Sequence, residues 1–211
     1  VECLSIKGEG KELSPSTLNS AKKLPYRDFL TVGILLRDFH GPNGEELDDT
    51  WLYVQEPNVK VGRIQIFNNW SPYMVERKEN KWVGLEYFCQ EGDALWSMNE
   101  NELIDLGLQE LCKLGLCNQS DFLKGTVLKE EKTYPAYFDS YSDIENIKEE
   151  LIQIQPLFLI GRNGMHKYNN QDHSMLTAFR TAEIIASGNI DSKLKASVWD
   201  VNTEQEYHET K

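Results

Sequence analysis

The sequence predicts an α+β fold in which a mainly antiparallel sheet carries packed helices. Two observations lead to this prediction. Runs rich in β-branched and aromatic residues, such as Tyr26–Asp38 and Trp82–Cys89, are bounded by turn residues and read as strands. Apolar residues recur with a helical period in later segments, first in Asn99–Leu114 and then in Ser142–Ile154. Several antiparallel-looking strands interrupted by a few helices make an α+β architecture.

The predicted strands share a short length and either β-rich composition or alternation of apolar and polar residues. They are Tyr26–Asp38, Trp51–Val54, Arg63–Asn69, Trp82–Cys89 and Phe122–Tyr134. A turn-rich loop at Gly41–Asp49 and a charged turn at Glu76–Lys81 separate some of these strands.

Two amphipathic helices are predicted in the middle of the chain. In the first, Asn99 caps the start and Gly115 ends the helix. The second begins with Ser142-Asp-Ile-Glu145, which has the spacing of a capping box. The residues predicted to face inward are Leu103, Leu106, Leu111 and Leu114 in the first helix and Ile144, Ile147, Leu151 and Ile154 in the second.

The C-terminal part is predicted to form a strand, a loop and a helix. Leu157–Ile160 is a short apolar run that follows Pro156 and reads as a buried strand. The last helix is predicted to start near Asp172, an ordinary N-cap residue type, and to end at Gly188. Its packing face is predicted to consist of Met175, Phe179, Ala182 and Ile185.

Composition and charge exclude some functions. The 211 residues carry a formal net charge of −12, which argues against nonspecific nucleic-acid binding because a phosphate backbone would be repelled. A few local arginines can still bind a small anionic ligand. No apolar run approaches the roughly 20 residues of a membrane helix, and the first residues lack the pattern of a signal peptide. We therefore expect no membrane span and a cytoplasmic location.

The cysteines predict free thiols and no structural metal. Only Cys112 and Cys117 are close in sequence, and no second pair or His cluster completes a zinc site with them. Cys3 and Cys89 stand alone.

One loop combines groups that suit an anion or a polarised carbonyl. In Gly161-Arg162-Asn163-Gly164 the glycines let the backbone approach a flat ligand, and Arg162 can fork onto a pyrophosphate. Taken alone, such a tetrapeptide is more often an ordinary loop with an exposed arginine. Hydrogen-bonding side chains then follow directly before a helix N-terminus, which favours a ligand-binding loop over an ordinary one. They are His166, Tyr168, Asn169, Asn170 and Asp172.

With these residues, the segment resembles the last FAD-contacting motif of UDP-galactopyranose mutases and of protoporphyrinogen oxidase and amine oxidase type flavoproteins. The match covers Gly161, Arg162, Tyr168 and Asp172 at similar spacing. His166 departs from the mutase pattern, which usually has a second tyrosine there. The departure leaves open whether the chemistry is redox or mutase (isomerase) chemistry.

The resemblance implies roles for nine residues and leaves the catalytic residues unknown. It places Arg162 by the flavin pyrophosphate and the helix N-terminus by the flavin. The implied cofactor-binding residues are Gly161, Arg162, Gly164, Asp172, Ser174 and Met175. The implied substrate-binding residues are His166, Tyr168 and Asn170.

Four less specific sequence segments upstream resemble the substrate domain of the same flavoproteins. They are Leu24–Phe29, Trp82–Phe88, Gly92–Trp96 and Tyr134–Tyr137. The implied division is a boundary segment (1–25), a substrate-domain-like region (26–154), a strand-loop-helix of an FAD-binding domain (155–188) and a tail (189–211). The sequence lacks the glycine-rich dinucleotide fingerprint. The resemblance implies FAD as the cofactor of the intact protein, and because that fingerprint is missing, this fragment is not expected to retain FAD.

Aromatic and acidic residues leave alternatives open. Trp51, Trp70, Tyr73, Trp82, Tyr87, Trp96 and Tyr134 could line a cleft, although aromatic residues on strands more often belong to the core. Trp70-Ser-Pro-Tyr73 is the exception, because a proline-containing turn leaves aromatic side chains at a surface. Glu86 and Asp93 form no recognisable acid–base pair.

Two hypotheses follow for the function. In the first, the chain is a fragment of an FAD-dependent oxidoreductase or mutase, inactive alone and partnered by an N-terminal FAD-binding domain of the same protein. Its substrate is then a small molecule, with a nucleotide sugar as the candidate. In the second, the chain is a noncatalytic ligand-binding or protein-interaction module.

Overall fold

The computed structural model describes residues 13–202. Cys3, the first part of the predicted boundary segment and the end of the predicted tail lie outside the described residues. Contacts divide the chain into two compact units, between which it passes at Arg27–Asp28 and at Lys132–Thr133. We call Asp28–Lys132 the sheet unit, and the described residues 13–27 and 133–202 the helical unit.

The described residues contain five strands and eight helices. The strands are β1 (Tyr26–Leu36), β2 (Trp51–Tyr53), β3 (Arg63–Ile66), β4 (Lys81–Cys89) and β5 (Phe122–Pro135). The helices are α1 (Pro15–Lys22), α2 (Phe67–Trp70), α3 (Ala94–Ser97), α4 (Glu100–Lys113), α5 (Ile144–Ile152), α6 (Gly161–Met165), α7 (Gln171–Ser187) and α8 (Ser192–Ser197). None of these helices is both long and apolar enough to cross a membrane.

The sheet confirms the predicted α+β class. Its strand order is β2-β3-β4-β1-β5, and the pairs β2–β3, β3–β4 and β1–β4 are antiparallel. The register places Val32 opposite Leu85 and Arg63 opposite Glu86. Because successive residues of a strand face opposite sides of the sheet, one side carries the apolar residues and the other the charged pair.

Helix α4 covers the apolar side of the sheet and begins and ends as predicted. Asn99 and Glu102 form a capping box at its start, and Gly115 at a φ of 73° ends it. At Gly107 the helix comes so close that an added Cβ would lie 3.2 Å from Ile34 and 3.3 Å from Leu85 and Val32. The predicted inward residues Leu103 and Leu111 are fully buried.

A buried carboxylate ties α4 to a loop of the sheet unit. Glu110 is 6% exposed. Its two oxygens accept hydrogen bonds from the backbone N–H groups of Lys60 (2.6 Å) and Val61 (3.0 Å) and from the hydroxyl of Tyr87 (2.9 Å). Burial, and then the adjacent charge of Glu110, raises the pKa of Tyr87. The carboxylate therefore satisfies two buried donors, Val61 N–H and the Tyr87 hydroxyl, and one partly buried donor, Lys60 N–H.

We predict that Glu110→Ala lowers the free energy of unfolding by about 3 kcal/mol, because two buried donors and one partly buried donor lose their acceptor. Tyr87→Phe removes one of the three contacts and is expected to cost about 1–2 kcal/mol. Asp105→Asn, an exposed change on the same helix, is the matched control and is expected to stay within about 0.5 kcal/mol. Urea unfolding measures all three, and equal losses for Glu110→Ala and Asp105→Asn would contradict the prediction.

The helical unit has its main core around α5. Ile147, Leu151 and Ile154 are buried there, as predicted, and Leu13, Leu24 and Leu157 pack against them. The predicted capping box at Ser142 is not the start of the helix, because a 3₁₀ turn occupies Asp139–Asp143 and α5 begins at Ile144. Helix α1 was not predicted, although Ser14 as cap and Pro15 at the first position are its sequence signal.

Two predictions for the C-terminal segment were wrong. Leu157–Ile160 forms no strand, because it pairs with no other strand in the described part of the chain; it runs directly into α6. The predicted packing face of α7 is instead exposed, with Met175 at 56%, Phe179 at 61% and Ile185 at 53%. The buried residues of α7 are Thr177, Thr181 and Ile184, so the helix is rotated relative to the expectation from apolar residues alone.

Candidate functional site

The site predicted from sequence lies in the helical unit, where α6 leads into α7. Gly161, the first residue of α6, has a φ of 69°, a conformation that favours glycine. Its backbone N–H donates to the hydroxyl of Thr177 on α7 at 3.1 Å. An added Cβ at Gly161 would lie 3.8 Å from the Ser174 hydroxyl, which is ordinary contact. The conformation, and not crowding, therefore requires glycine here, and it brings the start of α6 against the first turns of α7.

Arg162 is held by aromatic rings and by the backbone. Its guanidinium carbon lies 4.7 Å from the ring centre of Tyr134 and 5.1 Å from that of Tyr168. The two rings are themselves stacked, with centres 5.9 Å apart. The Nε–H of Arg162 donates to the carbonyl of Asn169 at 3.0 Å. Among the described residues no carboxylate pairs with Arg162, so its half-buried positive charge lacks an anionic partner there.

The turn between α6 and α7 is anchored by backbone contacts. The N–H of Tyr168 donates to the hydroxyl of Tyr137 at 2.5 Å, and its carbonyl accepts from the Asn202 amide at 2.7 Å. Asn169 is 1% exposed and donates to the Lys167 carbonyl at 3.1 Å. The side-chain oxygen of Asn169 has no hydrogen-bond partner within residues 13–202.

Asn170, and not Asp172, is the cap of α7. Asn170 has extended backbone angles, and its N–H donates to Nδ1 of His173 at 3.3 Å. Asp172 lies within the first turn, with its side chain 75% exposed. Asparagine and aspartate are both good caps, so the sequence alone could not decide between them. The exposed carboxylate still lies favourably at the positive end of the helix dipole.

His166 is buried and neutral. It ends α6 with a φ of 46° and is 3% exposed. Its ring lies edge-on to Tyr26 at 4.6 Å and is tilted against Tyr141 at 6.0 Å. Neither ring nitrogen has a hydrogen-bond partner in the described part of the chain. Burial lowers the pKa of His166 to about 4, and the nearby backbone of Ala136 and Pro25 opposes this only in part.

We predict that His166 makes the helical unit less stable as the pH falls from about 6.5 to about 4. The pKa of His166 is about 4 in the folded chain, against an ordinary value of 6.5 for a solvated histidine, so the unfolded chain binds the proton first. Full stability holds above about pH 6.5, and the fall of the pKa from 6.5 to about 4 corresponds to a loss of about 3 kcal/mol near pH 4. The pKa values of Tyr26 and Tyr141 are raised, so both rings stay uncharged in this range.

The measurement is chemical unfolding between pH 4 and 8 for the wild type and for His166→Gln. Glutamine does not titrate, so the difference between the two profiles isolates His166 even if the variant is uniformly less stable. A difference that stays constant across this pH range would contradict the prediction.

Three predicted site residues remain to be described: Gly164, Ser174 and Met175. Gly164 has an ordinary backbone conformation, and an added Cβ would lie 3.8 Å from the backbone of Leu159, so nothing in the fold requires glycine there. Ser174 is half-buried near Gly161, whereas Met175 is exposed on α7. Tyr134 and Thr177 contact the site and were not among the predicted residues. Tyr134 is the first residue of one of the upstream segments that resemble the flavoproteins. Its contact with Arg162, however, arises only from the fold.

A second polar cluster lies on the sheet unit. Arg63 and Glu86, 4% and 2% exposed, form an ion pair with Nε 2.6 Å from Oε2. Gln65 donates to the other oxygen of Glu86. The Arg63 guanidinium lies 4.8 Å from the Trp51 ring centre and 4.9 Å from that of Phe88. The pair was not predicted from the sequence, because only the register of β3 and β4 brings the two residues together.

Some of the aromatic residues are buried and others are exposed. Tyr87 and Tyr134 are buried, whereas Trp70 and Tyr73 in the proline-containing turn are 48% and 96% exposed. Within residues 13–202 no group of three or more His, Cys, Asp or Glu side chains could hold a metal ion.

Comparison with known proteins identifies solved structures that share this fold. No family model matches the sequence, and no curated protein sequence matches it. Two solved structures with a similar fold are a mutase and an oxidase. The structural similarity agrees with the resemblance found in the sequence, and at this level of identity it establishes the fold alone.

The first structure is that of reduced UDP-galactopyranose mutase. It shares 22% sequence identity and a TM-score of 0.67 over 92% of this chain and 40% of that chain. The oxidase is a protein assigned as a protoporphyrinogen oxidase from Exiguobacterium sp. 255-15, with 16% identity and a TM-score of 0.51 over 67% of this chain and 31% of that chain. This chain therefore spans less than half the length of either protein.

Proposed function

We propose that this chain provides the substrate domain and the C-terminal flavin contacts of an FAD-dependent oxidoreductase or a UDP-galactopyranose mutase-like enzyme. The observation that carries the proposal is Arg162, whose charge is held on two tyrosine rings beside the start of α7 without a carboxylate partner among the described residues. The fold shared with a mutase and an oxidase supports the same proposal.

The donors around this point fit a pyrophosphate. Only Nε of the Arg162 guanidinium is used within the described residues, which leaves the two terminal nitrogens as a fork for phosphate oxygens. The first backbone N–H groups of a helix lack partners inside the helix and lie at its positive end. Helix α7 supplies such groups next to Gly161. Both kinds of donor favour an anion, so the residues present suit the phosphates of FAD.

In this proposal each residue of the chain binds or orients the cofactor, while the bound flavin supplies electron transfer or covalent chemistry to the enzyme. Arg162 binds the pyrophosphate, and Gly161 and Gly164 let the backbone approach it. Asp172 carries a negative charge and would repel phosphate, so we assign it to a hydroxyl donor of the cofactor. Ser174 and Met175 lie on the same helix end and complete the proposed contact set.

The proposed substrate contacts are Tyr168, Asn170 and His166, and the proposed substrate is a small molecule with a nucleotide sugar as the candidate. Tyr168 contacts Arg162 directly, so a ligand phosphate bound by Arg162 would lie near its ring. His166 is 3% exposed and packs against Tyr26 and Tyr141, so its proposed contact with the substrate requires the site to open. Cytoplasmic location remains part of the proposal.

The exposed apolar face of α7 supports the proposed partner. Met175, Leu176, Phe179 and Ile185 are each between 41% and 61% exposed. A cluster of exposed apolar residues of this size on one helix marks a surface that another protein part covers. We propose that this part is the FAD-binding domain of the same protein, because the proposed cofactor contacts lie at the N-terminus of the same helix.

The alternative is a noncatalytic ligand-binding or protein-interaction module, which the same apolar face of α7 and the exposed Trp70 and Tyr73 would also serve. Bound flavin distinguishes the two functions. A longer natural form of this protein that purifies with FAD supports the enzyme, and one that purifies without flavin and does not take it up supports the module.

We predict that the 211-residue chain alone does not retain FAD. The glycine-rich turn that supplies most nucleotide contacts in dinucleotide-binding folds is absent from its sequence. The measurement is the visible absorbance of the purified chain after incubation with FAD and gel filtration. A near-stoichiometric flavin band after filtration would contradict the prediction.

We predict that Arg162→Met in the flavin-binding form of the protein weakens FAD retention by about 10- to 100-fold, the equivalent of one charge-assisted contact to phosphate. Methionine keeps an apolar stem against Tyr134 and Tyr168 while it removes the charge. Arg162→Lys is expected to recover only part of the affinity, because lysine keeps the charge and loses the fork. Equilibrium dialysis against FAD measures the effect.

The matched control for this prediction is Arg180→Met, which removes the same charge from α7, where the guanidinium donates to the Ser197 carbonyl at 3.3 Å. It is expected to leave FAD retention unchanged. A melting curve of each apo protein shows whether folding is affected. If Arg162→Met retains FAD like the wild type, Arg162 is a structural residue and the proposed site is wrong.

A further inference from the structure

The end of α4 brings two cysteines of the sheet unit together. After Lys113 the chain turns through Gly115, whose φ is 73°. The N–H of Gly115 donates to the Cys112 carbonyl at 3.0 Å, and the N–H of Leu116 donates to the Leu111 carbonyl at 3.0 Å. These two bonds define a Schellman motif, which reverses the chain over the last turn of a helix. Cys117, the next residue, is therefore placed back beside Cys112.

The two sulfur atoms lie 3.9 Å apart. Both cysteines are free, with Cys112 half-buried and Cys117 only 5% exposed. Burial, followed by the proximity of Cys112, raises the pKa of the Cys117 thiol to about 12. A disulfide has an S–S distance of about 2.05 Å, so a rotation of the two side chains has to close a gap of about 2 Å.

We propose that Cys112 and Cys117 are a dithiol–disulfide pair, a modification site at the C-terminal end of α4 that low-molecular-weight disulfides oxidise. The geometry that carries this proposal is the sulfur contact across a turn fixed by backbone hydrogen bonds. It is independent of the proposed flavin site, which lies in the helical unit. A metal is a weaker candidate for the same pair, since no third ligand completes a cluster among residues 13–202.

The chemistry requires an oxidant, for which we name oxidised glutathione. The thiolate of Cys112, the more accessible sulfur, attacks the glutathione disulfide and releases one glutathione thiolate. Cys117 then loses its proton to solvent, attacks the Cys112 sulfur of the mixed disulfide and releases the second glutathione. The cysteines together lose two electrons and two protons, and one glutathione disulfide is reduced to two thiols.

Peptide mapping of the oxidised chain tests the proposal. Trypsin cleaves after Lys113, between the two cysteines, so their disulfide joins two separate peptides. The experiment uses Cys89→Ala, because Cys89 lies in the same tryptic peptide as Cys112. After incubation with oxidised glutathione under folding conditions, the expected product is the linked pair of peptides, which separates on reduction. Unmodified thiols, a glutathione adduct that persists on Cys112, or a link to Cys3 would each overturn the proposal.

A variant and a denatured control show whether the disulfide forms because of the folded geometry or only because the two cysteines are close in sequence. Cys117→Ala is expected to stop at a stable glutathione adduct on Cys112, because the second attacking sulfur is missing. In a glutathione redox buffer, the equilibrium constant for the disulfide is expected to be about tenfold larger in the folded chain than in denaturant. An equal or smaller constant in the folded chain would overturn the proposal, and this comparison uses no change at either cysteine.

Discussion

The contact of Arg162 with Tyr134 and Tyr168 is the interaction on which the candidate site depends. It fixes a long, flexible side chain whose rotamer freedom would otherwise have to be lost on binding a ligand. The contact exists because the backbone turns twice into the left-handed region, at Gly161 and at His166. These two turns enclose α6 and bring Arg162, Tyr168 and the start of α7 to one place.

The same contact has an electrostatic consequence. The chain carries a net charge of −12, yet Arg162 lies among aromatic rings and backbone carbonyls and has no carboxylate partner in the described ranges. Aromatic faces offer a cation a weak partner compared with a carboxylate, so the charge stays available to an anion. A surface arginine in a salt bridge would first have to give up that bridge. The overall charge therefore does not argue against an anionic ligand at this point.

The sheet unit could be predicted closely from the sequence, and the helical unit less well. The strands and α4 carry strong local signals: β-rich runs, a capping box at Asn99 and a glycine at the helix end. The apolar run Leu157–Ile160 carries no such signal, because four apolar residues fit a strand or an irregular buried segment equally well. Whether they form a strand depends on a neighbouring strand, which a local pattern cannot show.

The candidate site was predicted as a linear motif, and its spatial partners came only from the fold. Tyr134 and Thr177 are distant in sequence from Gly161 and Arg162, and the Arg63–Glu86 pair depends on strand register. Helix α7 is a second example of a feature that the sequence pattern predicts only in part. Its periodicity predicted an apolar face, which exists, but it could not show what covers that face.

Within this chain α7 buries a threonine-containing face, with Thr177, Thr181 and Ile184, and leaves its larger apolar side chains exposed. Exposure of Phe179 and Met175 leaves apolar area in water that a covering surface would remove, at about 25 cal/mol for each Å². The threonines have a different use, since Thr177 binds the backbone of Gly161 and so sets the position of the loop that holds Arg162. One face of α7 thus positions the loop of the candidate site, and the other leaves exposed the apolar side chains that the proposed partner domain would cover.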